Sequence, residues 1–340
     1  MEDVEVRDVR GEVRGDEEAF MLADHPDSTE QIPTVDMGPY LQGHPGGLEA
    51  VAASLRDASR QVGFFYLTNH GIPHALIAET FAAARRLHGL PEHEKKKIPW
   101  YDGALFKIGY ESYAADKNYK TNVNVLANTR PNAYAKFVVG RSVGPQAEAT
   151  AAVWPENLPG FRETLLAYGA AVERLGRQFL PLWCHSLNLP RDALDRHFQT
   201  PHVQLGLLHY PPQPEVGNRQ YGIAPHTDNA FMTFLAQGDV SGLAVRMPSG
   251  HWRTVDVIPG TLVVNTGNSM VQWTNEEYLS TKHRVINTNT VDRYSIPVFF
   301  GPGDDTVIEP LPTCHGPDRP PLYKPVTYGD LRSWYYGERN

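Results

Sequence analysis

In the stretch YGIAPHTDNAFMTFLAQ, residues 221–237, His226 and Asp228 stand two residues apart inside a run that otherwise reads as β-strand. Residues i and i+2 of a strand project to one face, so the two side chains are expected to point together, with Thr227 turned away. Two ionisable groups buried side by side are costly unless something pairs with them. A metal ion would do so; on these two residues alone, a hydrogen-bonded pair explains the pattern as well. A third ligand candidate, His283, opens another strand-like run in STKHRVINTNTVDRYSIPVFF, fifty-five residues beyond Asp228. Two imidazole nitrogens and one carboxylate oxygen form a set that leaves coordination positions open on iron(II), whereas structural zinc normally takes four protein ligands. Ten residues further on, Arg293 and Ser295 repeat the i, i+2 spacing, which sets a guanidinium and a hydroxyl on one face while Tyr294 turns away. Arginine is the side chain suited to gripping a carboxylate with two parallel hydrogen bonds. A second His-x-Asp, His25 and Asp27, has Pro26 between its members and no strand around it; it carries no weight.

The elements that must position these groups follow from periodicity. After Pro201 the chain breaks into short apolar or alternating runs (VQLGLLHY, GLAVRMP, GTLVVNTG, HRVINT, RYSIPVFF) separated by Pro, Gly and Asn, the texture of an antiparallel barrel or a double-sheet jelly roll. Upstream, residues 32–37 read as a short strand and 48–61 as an alanine-rich helix. That helix leads into a strand ended by Asn69-His70-Gly71. Ile77, Phe81, Ala84 and Leu87 recur at helical spacing. The run PEHEKKKI, residues 91–98, reads as a solvated helix start with acidic residues first. The longest helix begins after Pro159-Gly160, with Leu165, Tyr168, Val172, Leu175 and Phe179 on one stripe and Pro181 expected to kink or end it. The fold class expected is α+β, a double-stranded β-helix (jelly roll) core with N-terminal and central helices packed on it. Residues 1–30 form a charged lead-in, 31–200 a largely helical region, 201–303 the core carrying the site and 304–340 a C-terminal extension, with 31–340 as one unit.

The 340-residue chain, 41% hydrophobic and 21% charged, has the composition of an ordinary soluble protein. A formal charge of -8 argues against a nucleic-acid partner and favours a small organic molecule. No apolar run is long enough to cross a bilayer, and the acidic N-terminus lacks the plan of a secretory signal, so a cytoplasmic location is expected. Two cysteines, Cys184 and Cys314, suggest neither a disulfide framework nor a thiolate metal site.

The order HTD, His283 and RYS resembles that of the iron(II)- and 2-oxoglutarate-dependent dioxygenases, in the branch that includes isopenicillin N synthase. IPTVDM and GFFYLTNHGIP are similar to that branch's N-terminal signature, LLHYPPQP to its tyrosine-proline motif, and GTLVVNTGN with QWTNEEYLSTKHRV to its approach to the second histidine. The resemblance implies that His226, Asp228 and His283 bind iron(II), and that Arg293, Ser295 and Tyr210 hold the far carboxylate of the cosubstrate 2-oxoglutarate. It also implies reaction with dioxygen to give succinate, carbon dioxide and a hydroxylated, desaturated or cyclised product, as in much of secondary metabolism. If Tyr210 faces the site, then Gln204, Gly206 and Leu208 share its face and His209 does not. Leu208 and Asn268 depart from residues common in the branch, the first removing a polar contact near the cosubstrate, the second changing a charge in a turn. Gln204, Phe231 and Phe299 are candidate substrate contacts. Residues 101–140, rich in tyrosine and asparagine, are expected to cover the mouth of the site, with Tyr110, Tyr113 and Tyr119 reaching substrate. Two rival readings are an oxidase whose arginine grips substrate without 2-oxoglutarate, and a metal-binding protein without turnover. Substrate identity and oligomeric state are left open.

Overall fold

Two antiparallel-rich sheets face one another in the computed structural model, which describes residues 30–102, 107–112, 132–140, 151–213 and 221–337. Strands are numbered in chain order. The larger sheet runs β1 (Thr34–Asp36), β2 (Phe64–Thr68), β11 (Leu262–Thr266), β8 (Met232–Gln237), β13 (Arg293–Gly301), β6 (His202–Tyr210), β5 (Ala135–Gly140), β4 (Lys107–Glu111) and β3 (Trp100–Asp102). The smaller sheet runs β10 (Trp252–Thr254), β9 (Leu243–Arg246), β12 (His283–Val285) and β7 (Ile223–His226). Leu208, Tyr210 and Val263 of the larger sheet pack against Leu243, Val245 and Val285 of the smaller one. This is the expected jelly roll.

Period-2 alternation sorts each central strand between two apolar environments. Leu208 and Tyr210 of β6 face the smaller sheet, while Leu205 and Leu207 face outward into the helical layer. That layer is α2 (Gly47–Gln61), α3 (His74–His88) and α5 (Phe161–Ser186); two four-residue helices, α1 (Gly38–Leu41) and α4 (Glu92–Lys95), lead into α2 and out of α3. The stripe Leu165, Tyr168, Val172, Leu175 and Phe179 is buried as its spacing requires. The helix does not end at Pro181 but runs on to Ser186. Proline in a helix interior costs about 3 kcal/mol, whereas burying a large apolar side chain returns roughly 1.5–3 kcal/mol. Leu182 and Trp183, both fully buried just beyond the proline, offset the penalty.

Three further expectations are corrected. The 31–200 region is less helical than its composition suggests: β3, β4 and β5 extend the larger sheet beyond β6, and β5 pairs antiparallel with β6 across that boundary. Lys95 is buried rather than solvated, its Nζ donating to the His88 carbonyl and paired with Glu92. Asn268, read as part of a turn, instead opens a short helix, α6 (Asn268–Trp273). The chain closes with a two-stranded ribbon, β14 (Val307–Ile308) and β15 (Val326–Thr327), and helix α7 (Tyr328–Gly337). Both cysteines are buried free thiols. No helix among the described residues is long and apolar enough to cross a membrane.

His88 stands at the end of α3 with Nε2 donating to the Leu207 carbonyl at 3.1 Å. Burial, then the nearby His209, pushes its pKa down to about 3. A depressed histidine pKa means that between about pH 6.5 and pH 3 the unfolded chain binds a proton the folded chain refuses. Stability therefore falls as pH falls through that window, by up to about 1.4 kcal/mol per pH unit for one such group. Denaturant titrations at pH 7, 5.5 and 4.5 should show a steeper acid decline for the wild type than for His88→Gln. Equal slopes would contradict a buried neutral His88.

Candidate active site

His226 ends β7 and His283 begins β12, and the two are direct cross-strand partners. Such partners hold their Cβ atoms about 4.5–5.5 Å apart, and the imidazole centroids lie 4.1 Å from one another. Each ring is oriented by its own backbone: Nδ1 of His226 donates to the Ala224 carbonyl at 2.9 Å and Nδ1 of His283 to the Thr281 carbonyl at 3.1 Å. A carbonyl can only accept, so the proton sits on Nδ1 and the lone pair on Nε2. Both Nε2 atoms converge on Oδ1 of Asp228, at 3.8 Å from His226 and 3.5 Å from His283.

Asp228 lies in the loop after β7, not on the strand, so strand parity alone does not bring it beside His226. What aims the carboxylate is a separate set of bonds. Oδ2 accepts from Thr233 Oγ1 of β8 at 2.6 Å and from Asn265 Nδ2 of β11 at 2.9 Å, leaving Oδ1 to face the histidines. The loop itself is pinned by Asn268, whose amide N–H donates to the Asp228 carbonyl and whose side chain donates to Thr227 and Asn229. Gly267 precedes it, and a Cβ there would collide with the Ala230 carbonyl; only glycine lets α6 start so close to the loop. Asn268 thus braces the site that the sequence reading had placed it outside. Thr233 and Asn265 were missed, although polar residues set in the apolar runs FMTFL and LVVNT, one in the first and two in the second, were a signal.

Three ligand atoms, one from each of His226, Asp228 and His283, lie within 4.8 Å of one another. With both imidazoles neutral, three lone-pair-bearing atoms face one another, and a cation at their centre would satisfy all three. One carboxylate oxygen and two imidazole nitrogens on one side of that point suit iron(II) with its remaining positions open. Burial would raise the Asp228 carboxyl, but His283, then His226 and the Thr233 hydrogen bond, hold it well below the usual carboxylate range. Burial would lower His283, and Asp228 outweighs it to give a net rise. Losing the partners on Oδ2 should loosen the triad: Asn265→Leu or Thr233→Val is expected to weaken iron(II) binding roughly 10–100-fold. Anaerobic titration of the metal-free protein would read this, and a change under about twofold would contradict it.

Further along the barrel interior, Arg293 of β13 pairs with Tyr210 of β6, and Ser295 with Leu208. Arg293 is 1% exposed, its guanidinium carbon 4.7 Å from the centre of the Tyr210 ring. Its Nε and Nη1 are buried without a hydrogen-bond partner among the described residues, a costly state for a cation unless an anion is to meet it. Burial lowers the guanidinium from its ordinary value against the pull of Tyr210. Burial also raises the Tyr210 hydroxyl, opposed by Arg293 and by a hydrogen bond with Ser295. His209 points the other way and pairs with Asp292 at 2.7 Å, as expected from strand parity.

A cavity of about 230 Å³ opens beside the triad, with His226, Asp228, Gln204 and Phe299 among its walls. Gln204 is fixed by donation to the Lys107 carbonyl at 2.9 Å. Of residues 101–140, Lys107, Asn132, Tyr134, Lys136 and Val138 line the cavity. Tyr110 does not: it pairs with Phe137 on the opposite face of β4, against the helical layer, while Lys107 and Lys136 take the cavity side. Phe231 does not reach the cavity either: the chain turns after Asp228, and the ring is wholly buried among Trp183, Phe198 and Trp273. Tyr113, Tyr119, His25 and Asp27 lie outside the described residues.

Two family models match the chain: residues 201–302 match the 2OG-Fe(II) oxygenase superfamily and residues 32–157 the N-terminal region of the non-haem dioxygenases in morphine synthesis. Among curated proteins, a 2-oxoglutarate-Fe(II) type oxidoreductase of Emericella nidulans, hxnY, is 32% identical over 88% of this chain and 87% of its own. Among solved structures, a full-length protein of Neurospora crassa, in complex with alpha-KG and thymine, superposes with a TM-score of 0.83 at 23% identity, over 94% of this chain and all of its own. The dioxygenase for auxin oxidation of rice superposes with a TM-score of 0.71 at 29% identity, covering 91% and 96% of the two chains.

Proposed function

Because this chain belongs to the 2OG-Fe(II) oxygenase superfamily, an oxidoreductase family using iron(II), 2-oxoglutarate and dioxygen, we propose that it oxidises a small organic molecule in the cavity beside His226 and Asp228. His226, Asp228 and His283 hold the iron, and Arg293, Ser295 and Tyr210 hold the far carboxylate of 2-oxoglutarate. The observation that carries this reading is the convergence of two Nε2 lone pairs on one carboxylate oxygen, with every other polar atom of the three side chains already tied down. Bound iron(II), with 2-oxoglutarate and dioxygen, supplies the oxidising chemistry, and 2-oxoglutarate leaves as succinate and carbon dioxide.

The remaining work falls to the chain's own groups. The backbone carbonyls of Ala224 and Thr281 keep the two imidazoles in the metal-binding tautomer. Thr233 and Asn265 restrict Asp228 to one coordinating oxygen, which preserves open positions for ligands. Arg293 gives the cosubstrate a fixed register, because its fork fits a carboxylate in one orientation. The apolar walls formed by Leu208, Val245 and Val285 exclude water, which strengthens that ion pair. Hydroxylation, desaturation and ring closure differ only in which substrate atom the cavity holds near the triad.

Succinate measured against 2-oxoglutarate consumed, in air, with iron(II) and ascorbate, tests the reading. Iron-dependent succinate formation at one equivalent per 2-oxoglutarate is expected, slow without substrate. Oxygen uptake with no succinate would favour the oxidase that grips substrate through Arg293.

A further inference from the structure

Arg293 is not the only buried arginine along this interior. Helix α7 carries Arg332, 3% exposed, which also lines the cavity. Its Nη1 pairs with Asp304, whose side chain is 41% exposed and half in solvent. Nε and Nη2 of Arg332 are buried with no hydrogen-bond partner among the described residues. Those two atoms form one straight edge of the guanidinium, the edge that meets a carboxylate with two parallel N–H···O bonds.

The local packing holds this edge in place. Tyr328, one turn earlier on α7, stands over β13, where a side chain at Gly301 would collide with its hydroxyl. Its ring lies 6.1 Å from that of His202 on β6, and the Arg332 guanidinium carbon lies 5.6 Å from the Tyr328 ring. Burial, then the Arg332 charge, holds the His202 pKa well below its ordinary value, so that ring adds no second cation beside Arg332. Asp228 is the sole carboxylate lining the cavity among the described residues, against three cations: Lys107, Lys136 and Arg332. Lys107 and Lys136 are each held by a carboxylate, Asp102 at 2.5 Å and Glu111 at 2.9 Å, which leaves the Arg332 edge as the cation with donors to offer.

We propose that Arg332 is the substrate anchor: the substrate carries a carboxylate that binds the Nε–Nη2 edge of Arg332 while the rest of the molecule reaches back along Gln204 and Phe299 to the triad. The proposal rests on the oxygenase reading and narrows it to small carboxylic acids. Arg332 packs at the His202 end of β6 and Arg293 at the Tyr210 end. Eight residues of strand separate the two ends, roughly 26 Å, so one small dicarboxylate cannot bridge both arginines. The cosubstrate and the substrate each have their own cation.

The test is binding of matched acids and amides to the full chain loaded anaerobically with iron(II) and 2-oxoglutarate, read by the fluorescence of Trp100 in the cavity wall and by calorimetry. The probes are benzoate, phenylacetate and 3-phenylpropionate, each against its primary amide. At least one acid is expected to bind tenfold or more tightly than its amide. Arg332→Gln should bring that pair to within about threefold, with Arg332→Lys between. Asp304→Asn, which breaks the same ion pair from its exposed side, should keep the acid preference; if Arg332 only tied α7 down, the two changes would act alike. Equal binding of acid and amide, no binding by any acid, or a preference that survives Arg332→Gln overturns the proposal. The wild-type comparison stands even where a variant fails to fold. Loading separates the two levels: failure to bind iron(II) and 2-oxoglutarate at all counts against the oxygenase reading, whereas normal loading without acid preference counts against the anchor alone.

Discussion

Asp228→Ala is expected to bring iron-dependent turnover to background. Asp228 is the one anionic ligand of the set and the point on which both Nε2 atoms converge. Losing a supporting partner of a metal ligand typically costs 10–100-fold in affinity, and losing the ligand itself should cost more. The fold should survive. The alanine leaves the Thr233 hydroxyl and the Asn265 amide without their acceptor, at about 1–3 kcal/mol for each unmet buried donor. It also removes a buried carboxylate that the metal-free protein must otherwise accommodate. Circular dichroism and anaerobic iron titration on the same sample separate the two effects. A folded Asp228→Ala protein that still turned over with iron would refute the triad.

Arg293→Ala is expected to weaken 2-oxoglutarate by two to three powers of ten. Removing one partner of a buried charge pair costs roughly 3–5 kcal/mol, and each 1.4 kcal/mol is about tenfold in affinity. Arg293 meets the condition of burial and brings two donors with nothing to bond. Arg293→Lys keeps the charge but not the fork, so it should recover only part of the loss. The same logic makes 2-oxoglutarate stabilising for the iron-loaded wild type, by about 2.7 kcal/mol at a hundred times its dissociation constant, with little effect on Arg293→Ala. Equilibrium binding checks the first effect and thermal unfolding the second. A change in affinity under about threefold would remove Arg293 from the site.

The parts of this site that were legible in the sequence are those whose chemistry restricts residue type. A metal accepts few side chains, so His226, Asp228 and His283 stood out, and strand parity carried Arg293 and Ser295 to one face of β13. The supporting contacts were not legible, because they are made across the sheet. Asn265 meets Asp228 through the pairing of β11 with β8, and no local pattern ties the two residues. Nearness along the chain also misleads: Phe231 stands close to Asp228 in sequence, yet the turn between them sends it into the helical core. Tyr110 failed for a related reason, since composition marked its segment but not which face of β4 it would take. The C-terminal helix had no motif at all. Arg332 acquires its meaning only from a buried edge, partnerless among the described residues, in the wall of a cavity built largely by strands more than a hundred residues away in sequence.

The most direct measurement is the visible spectrum of the protein on anaerobic addition of iron(II) and then 2-oxoglutarate. A weak metal-to-ligand charge-transfer band is expected for the wild type and absent for Arg293→Ala at the same concentrations. Iron binding at the triad with no band at saturating 2-oxoglutarate would contradict the cosubstrate site, and would turn Arg293 into a residue that grips substrate.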